Sequence, residues 1–86
     1  MRYGVELVGE LFSDKQGQYL AFIHAYSKLN RRPPAEADFL RFFSVSPPSV
    51  HSMILALERR GLIRRVPGVA RSIELLVRPE LLPVLE

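Results

Sequence analysis

The sequence predicts a winged helix-turn-helix: mainly α with a small β-hairpin, three helices followed by a two-stranded wing. Three observations carry this. Ser46 to Gly61 reads as a helix with both ends marked, joined to a shorter helix by the tight link Ser44-Val45. Two helices so joined, the second well capped, form a helix-turn-helix. After Gly61 the apolar period changes from about 3.6 residues to 2, the mark of strands.

In chain order, residues 1–12 form an N-terminal extension with two readings. Tyr3, Val5 and Leu7 alternate as a short strand would, while Val8, Leu11 and Phe12 line one side of a helical turn. Ser13-Asp14-Lys15-Gln16 fits a capping box and starts a helix that runs to about Leu29. Gln16, Tyr19, Leu20, Ile23 and Tyr26 share its inner face; Ala21, His24, Ala25 and Lys28 are expected to point away. Asn30 to Pro34 is a turn, because prolines exclude continued helix before them. Ala35 to Phe43 is a second helix, with Glu36 and Asp38 in its first turn and Phe39, Leu40 and Phe43 expected to be buried.

The third helix is the most informative stretch. The Ser46 hydroxyl can accept a bond from an orphan backbone N–H, and Pro47 suits the first helical position. Arg59 and Arg60 complement the dipole in the last turn, and Gly61 is placed for a left-handed stop. At about 100° per residue, Val50, Met53, Ile54 and Leu57 fall on one side. Pro48, His51, Ser52, Leu55 and Arg59 fall on the other. A surface helix usually offers Lys and Glu to solvent; this one offers small, polar and apolar groups, a surface suited to close approach. Leu62–Val66 and Ser72–Val77 are the two expected strands, with Pro67 to Arg71 as the turn and Gly68 free to take positive φ. The domain is expected to span residues 13–77, and residues 78–86 form a C-terminal tail with apolar Leu81, Leu82, Val84 and Leu85, cut by Pro79 and Pro83.

Composition narrows the function. The 86 residues make one small domain, and a 48% hydrophobic fraction indicates a folded one. No apolar run reaches membrane-span length, and acids and glycines make the start a poor signal peptide, so the expected location is cytoplasmic. There is no cysteine, hence no disulfide and no cysteine-based zinc site. Net charge is a mild +3, but Arg59, Arg60, Arg64, Arg65 and Arg71 lie together with no acid among them. Such a patch attracts polyanions.

Each part then has a use on double-stranded DNA. The capped end of the third helix can enter the major groove, where Ser46, Ser49, His51 and Ser52 reach base edges and Leu55 meets a thymine methyl. Arg64, Arg65 and Arg71, with Arg59 and the Gly68 turn, would lie near phosphates or a minor groove, giving affinity more than sequence preference. An enzyme is not expected. The acids are scattered, His24 has no second ligand at helical spacing, and no phosphate loop, metal cluster or nucleophile–base pair can be drawn. His51 and Ser52 are no dyad, because adjacent helical residues point about 100° apart. No cofactor, metal or small-molecule substrate is implied.

Asp14-Lys15-Gln16, Phe22-Ile23, Tyr26, Arg32-Pro33-Pro34, Ser46-Pro47, Ser49-Val50-His51, Leu57 to Arg65, Pro67-Gly68 and Arg71-Ser72-Ile73 resemble the N-terminal DNA-binding domain of LexA repressors. The resemblance spans about residues 13 to 76 and is most specific from the third helix into the wing. It implies a bacterial or phage transcriptional regulator whose third helix reads an operator through Ser46, Pro48, Ser49, His51 and Ser52, and whose wing touches the DNA backbone. Two departures stand out. The turn before the third helix is one residue shorter, and Phe42-Phe43-Ser44 replaces a small residue, Leu and Gly. The sequence stops where a LexA linker would begin, so DNA binding without self-cleavage is the expectation. A homodimer through the terminal segments, Val5 to Phe12, Leu81 to Leu85 or both, is expected to supply the specificity that one small domain lacks. The rival reading is a winged-helix protein–protein interaction module, for which Leu55 and the apolar termini would form the contact surface.

Overall fold

A computed structural model describes residues 11–86; the strand reading of the N-terminal extension (Tyr3, Val5, Leu7) and Val8 of the helical reading lie outside that part, while Leu11 is helical and exposed and Phe12 is buried. From Asp14 onward the chain forms α1 (Asp14–Asn30), α2 (Glu36–Phe43) and α3 (Pro47–Arg59). An antiparallel hairpin of β1 (Ile63–Arg64) and β2 (Glu74–Leu75) follows, then a single 3-10 turn at Pro79–Leu81. This is a winged helix.

The helix ends are set by the residues the sequence marks. At α1 the capping box is complete: Gln16 N–H donates to Ser13 Oγ at 3.1 Å and Ser13 N–H to Gln16 Oε1 at 3.0 Å. At α3, Ser49 N–H donates to Ser46 Oγ at 3.3 Å. Its far end is a full Schellman closure, with Gly61 at φ 73, Gly61 N–H on Glu58 O and Leu62 N–H on Leu57 O, both at 3.0 Å. Leu57 and Leu62, which this closure brings together, are both buried. The end of α3 and the start of the wing are thus one rigid corner.

Ser44, standing where the resemblance puts a glycine, takes the left-handed conformation (φ 55, ψ 50) and donates its N–H to Leu40 O at 2.9 Å. The short link between α2 and α3 is therefore closed at the cost of a conformation that side chains resist.

The core is built on α1, α2, α3 and the wing. Val50, Ile54 and Leu57 have no exposed surface, and they share the core with Tyr19, Leu20, Ile23, Phe39, Leu62, Ile63 and Ile73. Tyr19 stacks on Phe43 with ring centroids 4.5 Å apart and on Phe39 at 5.4 Å. Ala21 of α1 departs from its expected face, and Phe22 adds to the buried side beyond the expected stripe. Ala21 is buried, not outward, and Phe22 is buried among Phe39, Phe42 and Phe43. A single-stripe reading fails here because α1 is central and covered on more than one side.

The strands are shorter than the five and six residues expected, and a side chain explains it. Val66 N–H donates to Ser72 Oγ at 2.9 Å, and the same hydroxyl lies 3.2 Å from Val66 O and 2.9 Å from Val69 O. Ser72 closes the turn where backbone pairing would have continued. The tail also departs from expectation. Gln18 Nε2 donates to Val84 O at 2.9 Å and Glu86 N–H donates to Gln18 Oε1 at 2.8 Å. Leu82 and Leu85 pack against the core. Gly17 makes room for this: a Cβ there would stand 3.0 Å from the Phe12 ring and 3.1 Å from Pro83.

Two stability outcomes follow, both read by chemical denaturation. Leu57→Ala should cost about 2–5 kcal/mol, since it removes a fully buried side chain at the corner. Ser44→Gly should stabilise by up to about 1 kcal/mol, because glycine adopts the left-handed backbone without steric conflict.

Candidate nucleic-acid interface

With Val50, Ile54 and Leu57 committed to the core, helical geometry turns the opposite side of α3 to solvent. Ser46, Pro48, Ser49, His51, Ser52 and Arg59 are exposed, and Leu55 is half-buried. The first turn of α3 carries no acid, so its positive dipole end is not offset within the helix. Ser46 donates its hydroxyl proton to Ser49 Oγ at 2.9 Å while accepting the Ser49 N–H. Its hydrogen-bonding capacity is largely used as a cap, and the Ser49 hydroxyl is left with a proton to donate outward. His51 Nδ1 lies 3.4 Å from Glu36 Oε2 of α2, and both side chains are about half exposed. A shallow groove beside this face is lined by Ser13, Lys15 and Gln16 of the α1 start and Pro48, Ser49, Ser52 and Met53 of α3. The contribution of the α1 start to this face was not foreseen from the sequence, although Lys15 was already placed in the first turn.

The arginine patch is real but not bare. The acids that border it, Glu58 and Glu74, fold back onto it. Arg64 Nε donates to Glu74 Oε1 at 2.7 Å across the hairpin, and Arg65 Nε to Glu58 Oε1 at 3.2 Å. Arg64 and Glu74 are register partners on neighbouring strands, so the pairing follows from the hairpin itself. Both are largely exposed, and solvent and salt screen such a pair, so Arg64 is readily shared with another anion. Arg65 is more enclosed. Gly68 sits exposed at the turn with φ 78 and open space around it.

Arg71 differs from the other expected wing contacts. Its Nη1 is directed at Tyr26, Pro33 and Asp38, three groups of the helical body. Asp38 is buried and also accepts the Ala35 N–H at 2.8 Å and a bond from Arg41. Burial by itself would raise its pKa. The Ala35 N–H, the Arg71 charge, the Tyr26 hydroxyl and the Arg41 charge outweigh burial and hold it below the ordinary carboxylate value. Among the described residues no group of His, Asp or Glu is arranged to hold a metal. None of the described helices is long and apolar enough to cross a membrane.

A family model described as the LexA DNA binding domain matches residues 10–72. A LexA repressor of Thermosipho africanus is 38% identical over 68 residues, covering 79% of this chain and 34% of that protein. A LexA repressor of Thermosipho melanesiensis is 38% identical over 74 residues, covering 84% of this chain and 37% of that protein. The chain therefore spans about a third of the length of these relatives.

The depressed Asp38 pKa fixes the sign of a pH effect. As pH falls, the unfolded chain takes up the proton before the folded one, so the contribution of Asp38 is full above about pH 4 and fades through its lower folded value. Asp38→Asn should melt below wild type at neutral pH, and the gap should narrow on acidification below about pH 4. Thermal melts of the two proteins across that range check this; a gap that widens contradicts it.

Proposed function

The chain belongs to the LexA DNA-binding domain family, and from that premise we propose that it binds double-stranded DNA with sequence preference, as the DNA-binding part of a transcriptional regulator. The observation that carries the proposal is the acid-free, exposed face at the start of α3 beside a basic wing. Residues 13–77 are the binding unit in this reading, with residues 78–86 strapped to α1 through Gln18. Ser49, His51 and Ser52 read base edges in the major groove, Ser46 and Pro48 set the helix end, and Leu55 offers an apolar contact. Arg59, Arg64 and Arg65, with the Gly68 turn, approach the backbone. Binding is the whole of the activity proposed for these 86 residues; self-cleavage forms no part of it.

A two-fold dimer on a two-part site is the proposed assembly. Leu82 and Leu85 pack against the core, so Leu81 and Val84 are left as the tail's candidates for a contact between copies. Sedimentation of the protein with and without residues 79–86 tests this part, and an unchanged oligomeric state argues against the tail.

The function is tested by retention on nonspecific duplexes at increasing salt, followed by selection of sites from random sequence. Salt-dependent retention and an enriched site are expected; a protein-only interaction module shows neither. Arg64→Ala should weaken binding to all sequences and lower the slope of log K against log salt by up to about 0.9. Glu74→Gln should strengthen nonspecific binding, because it frees Arg64 and removes a like charge from the phosphates. His51→Ala and Ser52→Ala should melt normally yet change the selected site, at about 1–3 kcal/mol for each good base-edge interaction removed. An unaltered site and affinity in both variants removes α3 from the reading role.

A further inference from the structure

The paired part of the wing is only two residues on each strand, and a hairpin of that length does not hold itself together. Something other than its ladder must set where the wing stands. Adjacent residues at the base of the turn do two jobs. Ser72 closes the turn through Val66 and Val69. Arg71 reaches the other way, into the helical body. Its Nη1 lies 3.0 Å from the Tyr26 hydroxyl on α1, 3.2 Å from Pro33 O in the α1–α2 turn and 3.1 Å from Asp38 Oδ2 on α2. One nitrogen thus ties the wing to two helices and the turn between them, two protons being shared among three acceptors. The guanidinium also stands 5.8 Å from the Tyr26 ring centroid. Its side chain is 29% exposed, against 68% for Arg64.

Two further facts make this a built joint. Arg71 holds the left-handed backbone at φ 57, which a non-glycine residue keeps only where its surroundings compensate. Asp38 is buried and bonded to the Ala35 N–H, Arg41 and Arg71, so the Nη1 end of Arg71 is committed inside the protein and turned away from a phosphate.

We infer that Arg71 is a positioning residue, a strut that fixes the wing against the helix-turn-helix and raises DNA affinity through the placement of Arg64, Arg65 and Gly68, not through its own contact with the backbone. The inference rests on the DNA-binding reading and adds a division of labour within the wing. The two roles differ in sign. A phosphate-contacting Arg71 is served nearly as well by lysine, and DNA binding then improves when the nearby Asp38 charge is removed. A strut fails with lysine, which lacks the planar fork, and fails again when Asp38 is neutralised.

The test compares Arg71→Lys, Asp38→Asn and the milder Tyr26→Phe with Arg64→Ala as the control for a direct phosphate contact. Each is measured well below its own melting midpoint. Nonspecific duplex affinity is followed against salt, and amide exchange is followed at Val66, Val69 and Leu76. The strut predicts that Arg71→Lys and Asp38→Asn both weaken binding, by about 2- to 30-fold as for residues acting through a packed network. Their salt slopes stay at the wild-type value, and exchange speeds up at the wing amides while α3 amides remain protected. Near-normal affinity in Arg71→Lys, tighter binding in Asp38→Asn, or unchanged wing exchange in both overturns it. If wild type itself shows no salt-dependent binding, the DNA reading falls, and the exchange arm still decides whether Arg71 fixes the wing.

Discussion

Burial of Val50, Ile54 and Leu57 is the constraint from which the rest follows. A helix of 13 residues that commits one stripe completely to the core has no freedom to roll. Its other stripe must face solvent whatever residues it holds. The Schellman closure at Gly61 then converts this rotational choice into the position of the wing. Leu57 and Leu62 are fastened across the corner, so the hairpin leaves α3 in one direction. The exposed face and the direction in which the hairpin leaves α3 are thus two consequences of one packing decision, and Arg71 then ties the turn of the wing to the helices.

Electrostatics act within that frame. The patch of arginines is partly neutralised by Glu58 and Glu74, which tempers its field without burying it. The exposed Arg64–Glu74 pair can exchange partners at little cost, so it keeps Arg64 ordered yet able to turn to an external anion, while Arg65 is held more closely against Glu58. The buried Asp38 is the opposite case. Removing a partner from an enclosed charge is costly where removing one from an exposed pair is not, so the same residue types serve as surface contacts at the hairpin and as a fixed joint at Arg71.

Local chemistry made much of this legible in the sequence. Ser13, Ser46, Pro47 and Gly61 announce helix ends because capping is a short-range event, and their roles follow from neighbours three or four residues away. The core face of α3 is readable for the same reason, since one helix carries its whole period. What escaped was non-local. Phe22 and Ala21 are buried because α1 is covered from several sides, which no single-helix pattern reports. Ser72 replaces strand pairing through contacts six residues back. Arg71 looks like another wing cation until Tyr26 and Asp38, 45 and 33 residues away, are seen beside it. The tail looked like free apolar surface, but Gln18 grips it across 66 residues.

The central claim is that one face, made by the start of α3 and the wing, meets DNA. The most direct measurement is the change in backbone amide NMR shifts when the labelled protein is titrated with a selected duplex. The account predicts the largest changes from Ser46 to Ser52 and at Arg64, Arg65 and Gly68, with little change around the exposed Phe42 and Leu29. Changes centred on Phe42 and Leu29, with the start of α3 unaffected, would contradict it.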